Sequence, residues 1–149
     1  MRFSRPKSRA TLFFPAIAWT ALLCSAAWAA DPPKDLLSAT RAAIGATNLT
    51  PYDVGSRYGQ ALGASENCPG GKMTEKASVL SSVYSGAHLE EFSVQGKRIY
   101  DAWVRAKHCV PEDNPNLCKV VIDESCATAL SEIGPSGSAL PGLLEISRP

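Results

Sequence analysis

The chain has 149 residues, 45% of them hydrophobic and 19% charged, with 15 basic and 14 acidic side chains. A near-neutral balance of this kind offers no basic stripe to neutralise nucleic-acid phosphates, so nucleic acid is excluded as a partner. The length suits one domain with its own core.

The first 29 residues read as a cleaved export signal. Arg2, Arg5, Lys7 and Arg9 form a positive start, and "ATLFFPAIAWTALL" follows as an apolar run of about 14 residues. Ala27 and Ala29 supply the small residues of a cleavage site, which places the cut after Ala29. The run is shorter than the ~20 residues that a spanning helix needs. Leu23, which is not small, argues against lipidation at Cys24. With the leader removed the net charge becomes about −3, no polybasic patch remains for a membrane, and no stable anchor is expected. The signal and the alanine-rich composition point to the periplasm of a Gram-negative bacterium, or to secretion.

From residue 30 to residue 134 the apolar pattern has helical period, and the expected fold class is all-α: a compact bundle of about five helices. In "DPPKDLLSATRAAIG" Asp31 is the expected N-cap, with Leu36, Leu37, Thr40, Ala43 and Ile44 on one face and Gly45 as a left-handed C-cap. In "TPYDVGSRYGQALGAS" Thr50 caps, Pro51 takes the first helical position, and Asp53 lies near the positive end of the dipole. Gly55, Gly59 and Gly63 recur every fourth residue on one ridge. Each costs about 1 kcal/mol against alanine in a helix, so the ridge must receive either a crossing backbone or a partner.

"ENCPGGK" is a turn centred on Cys68. "TEKASVLSSVYSGA" predicts a third helix, capped by Thr74, with Val79, Leu80, Val83 and Tyr84 inward and Gly86 as its breaker. "HLEEFSVQGKRIYDAWVRAKHC" has the clearest amphipathic stripe, running through Leu89, Phe92, Gly96, Ile99, Tyr100, Trp103 and Val104. After a loop fixed by Pro111 and Pro115, "CKVVIDESCATALSEIG" turns Cys118, Ile122, Cys126, Ala129 and Ile133 inward, and Gly134-Pro135 stops it. Residues 135–149 read as an irregular tail whose Leu140, Leu143, Leu144 and Ile146 dock on the body or on something else.

Cys68, Cys109, Cys118 and Cys126 form an even set in an exported protein, which predicts two disulfides. Cys118 and Cys126 lie ~12 Å apart on one helix, too far to bridge. Two connectivities remain: 109–118 with 68–126, or 109–126 with 68–118. The first is favoured, because Cys109 and Cys118 flank the base of a helical hairpin. Spacings of C-x8-C-x7-C do not suit zinc, and the loop around Glu112, Asp113, Asn114 and Asn116 lacks the calcium pattern. No C-x-x-C is present for redox work. No cofactor is therefore expected.

"RYGQALGASENCPG", residues 57–70, together with Phe92 and Gly96 in an F-x-x-x-G pattern, resembles small exported helical proteins of alphaproteobacteria. The resemblance covers about half of the mature chain. It implies export and a helical build, and no activity.

His88 and His108 are the only histidines, and no serine lies in a G-x-S-x-G elbow, so no catalytic residues are assigned. Glu90-Glu91 and Asp123-Glu124 are adjacent pairs that diverge around a helix and read as solvated faces. The expected function is a non-enzymatic exported protein that binds another protein, as an inhibitor, chaperone or accessory subunit. Its expected contact surfaces are Gly55, Gly59 and Gly63, and the tail residues Leu143 and Leu144. The alternative is a carrier of a small apolar ligand, held between helices by Tyr84, Phe92, Tyr100 and Trp103. A small hydrolase, using His88 or His108 beside a carboxylate, is the third class.

Overall fold

The computed structural model describes residues 34–108 and 116–147. The leader, Asp31 and Cys109 lie outside the described residues, and with them the signal-peptide reading, the first N-cap and the bridge expected at Cys109. The described chain is mostly helical, in the order α1 (Lys34–Gly45), α2 (Pro51–Asn67), β1 (Gly71–Met73), α3 (Glu75–Ser78), a 3-10 turn (Leu80–Val83), α4 (Gly86–Lys107), α5 (Leu117–Ile133) and β2 (Leu144–Ile146).

Local side-chain chemistry sets the starts of α2 and α3 and the end of α1. Thr50 and Asp53 form a reciprocal capping box: Asp53 N–H donates to Thr50 Oγ1 at 3.2 Å, and Thr50 N–H donates to Asp53 Oδ2 at 2.9 Å. Thr50 Oγ1–H also donates to Asp53 Oδ2, at 2.7 Å, and this bond first, then the one from Thr50 N–H, holds the Asp53 carboxyl below its ordinary value of 3.8. At the end of α1 the expected left-handed glycine is absent. Positive φ occurs among the described residues at Gly70, Gly86 and Gly142, not at Gly45. Instead Thr47 closes the helix, donating from N and Oγ1 to Ile44 O at 2.9 and 2.7 Å. Gly86 (φ +56) does not break a helix but opens α4.

α2 is the centre of the molecule and α4 lies against its glycine ridge. A Cβ on Gly55 would fall on the carbonyl oxygen of Phe92, one on Gly59 on that of Gly96, and one on Gly63 on the Trp103 indole. At Gly55 and Gly59 the two backbones therefore meet directly, and at Gly63 the indole lies on bare backbone, which is the compensation that three glycines in a helix require. Below this crossing Phe92, Leu80, Ile133, Leu140, Leu143 and Leu144 are almost fully buried.

The predicted third helix is only α3 and the 3-10 turn. Its cap is as expected, Ala77 N–H donating to Thr74 Oγ1 at 3.3 Å, but the same hydroxyl donates to Gly142 O at 2.7 Å. The tail is the larger departure from expectation. β2 pairs antiparallel with β1, Gly71 opposite Ile146 and Met73 opposite Leu144. Thr74 N–H extends the ladder to Leu143 O, and Ser147 N–H bonds Gly70 O. On its way the tail folds over the end of α5. Ser138, Ala139, Leu140 and Leu143 donate N–H bonds of 3.0 to 3.1 Å to the carbonyls of Ser131, Glu132 and Ile133. Carbonyls that a helix end leaves without partners are satisfied in this way.

α5 turns Cys126, Ala129 and Ile133 inward as its spacing predicts. Cys126 bridges Cys68 with a Cα–Cα distance of 5.7 Å, tying the end of α2 to the middle of α5. This pairing excludes the connectivity 68–118 with 109–126.

Candidate functional site

The surfaces expected from the sequence are not surfaces. The ridge of Gly55, Gly59 and Gly63 is filled by α4, and Leu143 and Leu144 are 0% exposed. Both corrections share one cause: small or apolar groups found their partners inside the chain.

The four aromatic candidates do not enclose a common cavity. Phe92 is 1% exposed and stacks between Tyr58 and Tyr84, at ring-centre distances of 5.2 and 5.4 Å. Burial, with the Glu91 charge adding to it, raises the Tyr84 phenol above its ordinary value. Tyr100 lies apart, its hydroxyl donating to both oxygens of Glu66 at 3.1 and 3.0 Å. That bond to a carboxylate raises its phenol as well. Of the four, Trp103, 7% exposed, is the one that lines the cleft between α2, α4 and α5. His88 and His108 sit exposed at opposite ends of α4, about 30 Å apart at helical rise. Among the described residues no group of three or more His, Cys, Asp or Glu side chains could hold a metal ion.

Open space is found between α2, α4 and α5. There a cleft of about 390 Å³ takes Ser56, Arg57 and Gln60 from α2, Ile99 and Trp103 from α4, and Val121, Glu124, Ser125 and Thr128 from α5. The α5 set follows helical spacing, which puts an apolar, an acidic and two hydroxyl side chains on one face. A smaller pocket of about 250 Å³, sharing Ile99, Trp103, Val121 and Ser125 with the cleft, extends along Ala102 and Ala106 of α4. Val121 at the lip is 40% exposed and its neighbour Val120 is 47% exposed.

The polar end of the cleft is organised around an ion pair between Arg57 Nη1 and Glu132. Gln60 Nε2 donates to the same carboxylate oxygen at 2.8 Å, and Gln60 Oε1 accepts from Arg57 Nη1 at 3.3 Å. Arg57 Nε is buried without a partner among the described residues. Ser56 Oγ accepts from the buried Gln95 amide at 2.9 Å. Glu124, by contrast, has no ion pair or side-chain hydrogen bond among the described residues. The lining thus sets hydroxyl, amide and charged groups beside Ile99, Trp103 and Val121.

Of this set, sequence reasoning named Trp103 alone as a residue lining a binding site. Glu124 is exposed, as expected of a solvated face, and Val121 sits outside the inward stripe of α5. The 121, 124, 125, 128 spacing is the signal that could have gathered them. Comparison of the chain with protein-family models, curated proteins and solved structures finds no match. Among the described residues no helix is long and apolar enough to cross a membrane.

Proposed function

We propose that this is an exported, non-enzymatic protein that acts by binding another protein through the α2–α4–α5 cleft. In this reading residues 1–29 are removed after Ala29, and the remainder works in the periplasm or outside the cell as an inhibitor, chaperone or accessory subunit. A second disulfide, Cys109–Cys118, completes the staple at the base of the α4–α5 hairpin.

The observation that supports binding is the cleft itself: an apolar floor of Ile99 and Trp103 beneath a lip where Val121 stands in solvent. Exposed apolar side chains around a concave apolar floor are the usual mark of a contact surface. The smaller pocket along Ala102 and Ala106 favours the second reading, a carrier of a small apolar ligand.

The test is a capture experiment with the tagged full chain, expressed and recovered from the periplasm, compared with Val121→Asp. Partners that depend on the cleft are retained by the parent and lost by the variant, whose unfolding midpoint stays within about 0.5 kcal/mol of the parent because the site is on the surface. Identical captured sets would end the cleft as the contact surface. Intact mass of the recovered protein reads the cut after Ala29, and thiol counting under denaturing conditions reads the second bridge.

A further inference from the structure

Resting on the cleft as the partner site, we infer that its occupant is a basic side chain of the partner protein. The aliphatic stem lies along Ile99, Trp103 and Val121, and the cationic head meets Glu124.

The charge balance of the lining argues for a cation. Arg57 is already neutralised by Glu132, with Gln60 completing the cluster. Glu124 is then the one lining charge without a counter-charge among the described residues. A partner that covers the cleft withdraws Glu124 from water, and an uncompensated carboxylate is costly to bury. A cation removes that cost, and an indole nearby adds to the attraction. The hydroxyls of Ser125 and Thr128 sit on the same α5 face, with oxygen lone pairs for the remaining N–H groups of an ammonium or guanidinium.

The same balance argues against an acidic occupant. Its natural receptor would be Arg57, whose charge is already neutralised by Glu132. A wholly apolar occupant would match Ile99 and Trp103 and leave Glu124 stranded. Lysine and arginine carry both halves on one chain, an apolar stem and a charged head. A cleft of about 390 Å³ admits anchoring side chains and not a whole secondary element.

Trp103 supplies the readout, since the other two tryptophans, Trp19 and Trp28, lie in the leader. The protein recovered from the periplasm is titrated with the capped peptide acetyl-Ala-Leu-Arg-Leu-Ala-amide, following Trp103 emission, with Gln or Glu replacing Arg as controls. The Arg peptide is expected to shift the emission saturably, and the Gln peptide to bind about three- to tenfold more weakly. The Glu peptide is expected to give no shift. Glu124→Gln is expected to bring the Arg peptide down to the level of the Gln peptide, and added salt to weaken only the Arg peptide on the parent protein. Equal binding of the Arg and Gln peptides, an unchanged Arg affinity in Glu124→Gln, or no binding of the Arg peptide up to millimolar concentration overturns the inference. Capture lost in Val121→Asp but untouched by Glu124→Gln would overturn it while leaving the cleft as the contact surface. Capture untouched by Val121→Asp would remove the surface itself.

Discussion

At Gly55 and Gly59 the missing side chain is what makes the contact. Alanine at position 59 would drive its methyl into the Gly96 carbonyl, so Gly59→Ala is expected to cost about 2–3 kcal/mol by overpacking. Gly45 is the internal control. It meets nothing within 4 Å and has no positive φ, so Gly45→Ala is expected to gain about 0.5 kcal/mol through the unfolded chain. Urea midpoints of the two variants, moving in opposite directions, check both values. Thr40 makes a third case: it is 1% exposed and its hydroxyl has no partner among the described residues. Removing an unsatisfied buried hydroxyl while keeping the shape predicts that Thr40→Val stabilises by about 1 kcal/mol, again read from the urea midpoint. The sequence displayed the glycine spacing but not what fills it, because a ridge without side chains looks alike whether its partner is its own chain or another.

Among the elements, α4 and α5 could be read from helical spacing alone, without a side-chain cap, and α2 from the chemistry at its start. The Thr50-Pro51-Asp53 start of α2 carries its own reciprocal bonds, and Thr50→Ala is expected to cost about 1 kcal/mol. The box also predicts acid sensitivity. Because the bonds from Thr50 lower the Asp53 pKa in the folded state, Asp53 adds stability above the ordinary carboxylate range. That contribution is lost as falling pH protonates the native carboxylate. Unfolding measured at successively lower pH should therefore show a shallower loss in Asp53→Asn than in the parent. The cap of α3 was equally legible at Thr74, but the helix behind it was not. Its hydroxyl is shared with Gly142, a residue that no local pattern connects to it. β1 and β2, three residues each, are too short to show a period of two. The tail's glycines and prolines disguised a segment whose N–H groups finish α5.

The whole molecule is held by links between distant parts. The Cys68–Cys126 bridge closes a separation of 58 residues, worth about 4 kcal/mol by loop entropy. Replacing this bridge alone, with Cys68→Ser and Cys126→Ser together, is expected to lower the unfolding free energy in urea by a corresponding amount. Leu144, fully buried on β2, should cost about 2–4 kcal/mol as Leu144→Ala, a loss seen in thermal unfolding and out of proportion to its place in an apparently loose tail. The cleft belongs to this scale too, and that is why it was hidden. Its polar end depends on Arg57 meeting Glu132 across 75 residues, a meeting set by where α5 is pinned and not by either residue's neighbours.

The clasp between β1 and β2 has a consequence for kinetics. Thr74 bonds to Gly142 across 68 residues, and the Arg57–Glu132 pair and the disulfide span comparable lengths. Helical proteins usually fold fast because their contacts are local, and speed falls as the mean separation of contacting residues grows. This chain is helical in content and long-range in its wiring. Its refolding rate should fall below that of helical bundles of its size, with α2 and α4 forming early and the clasp closing last.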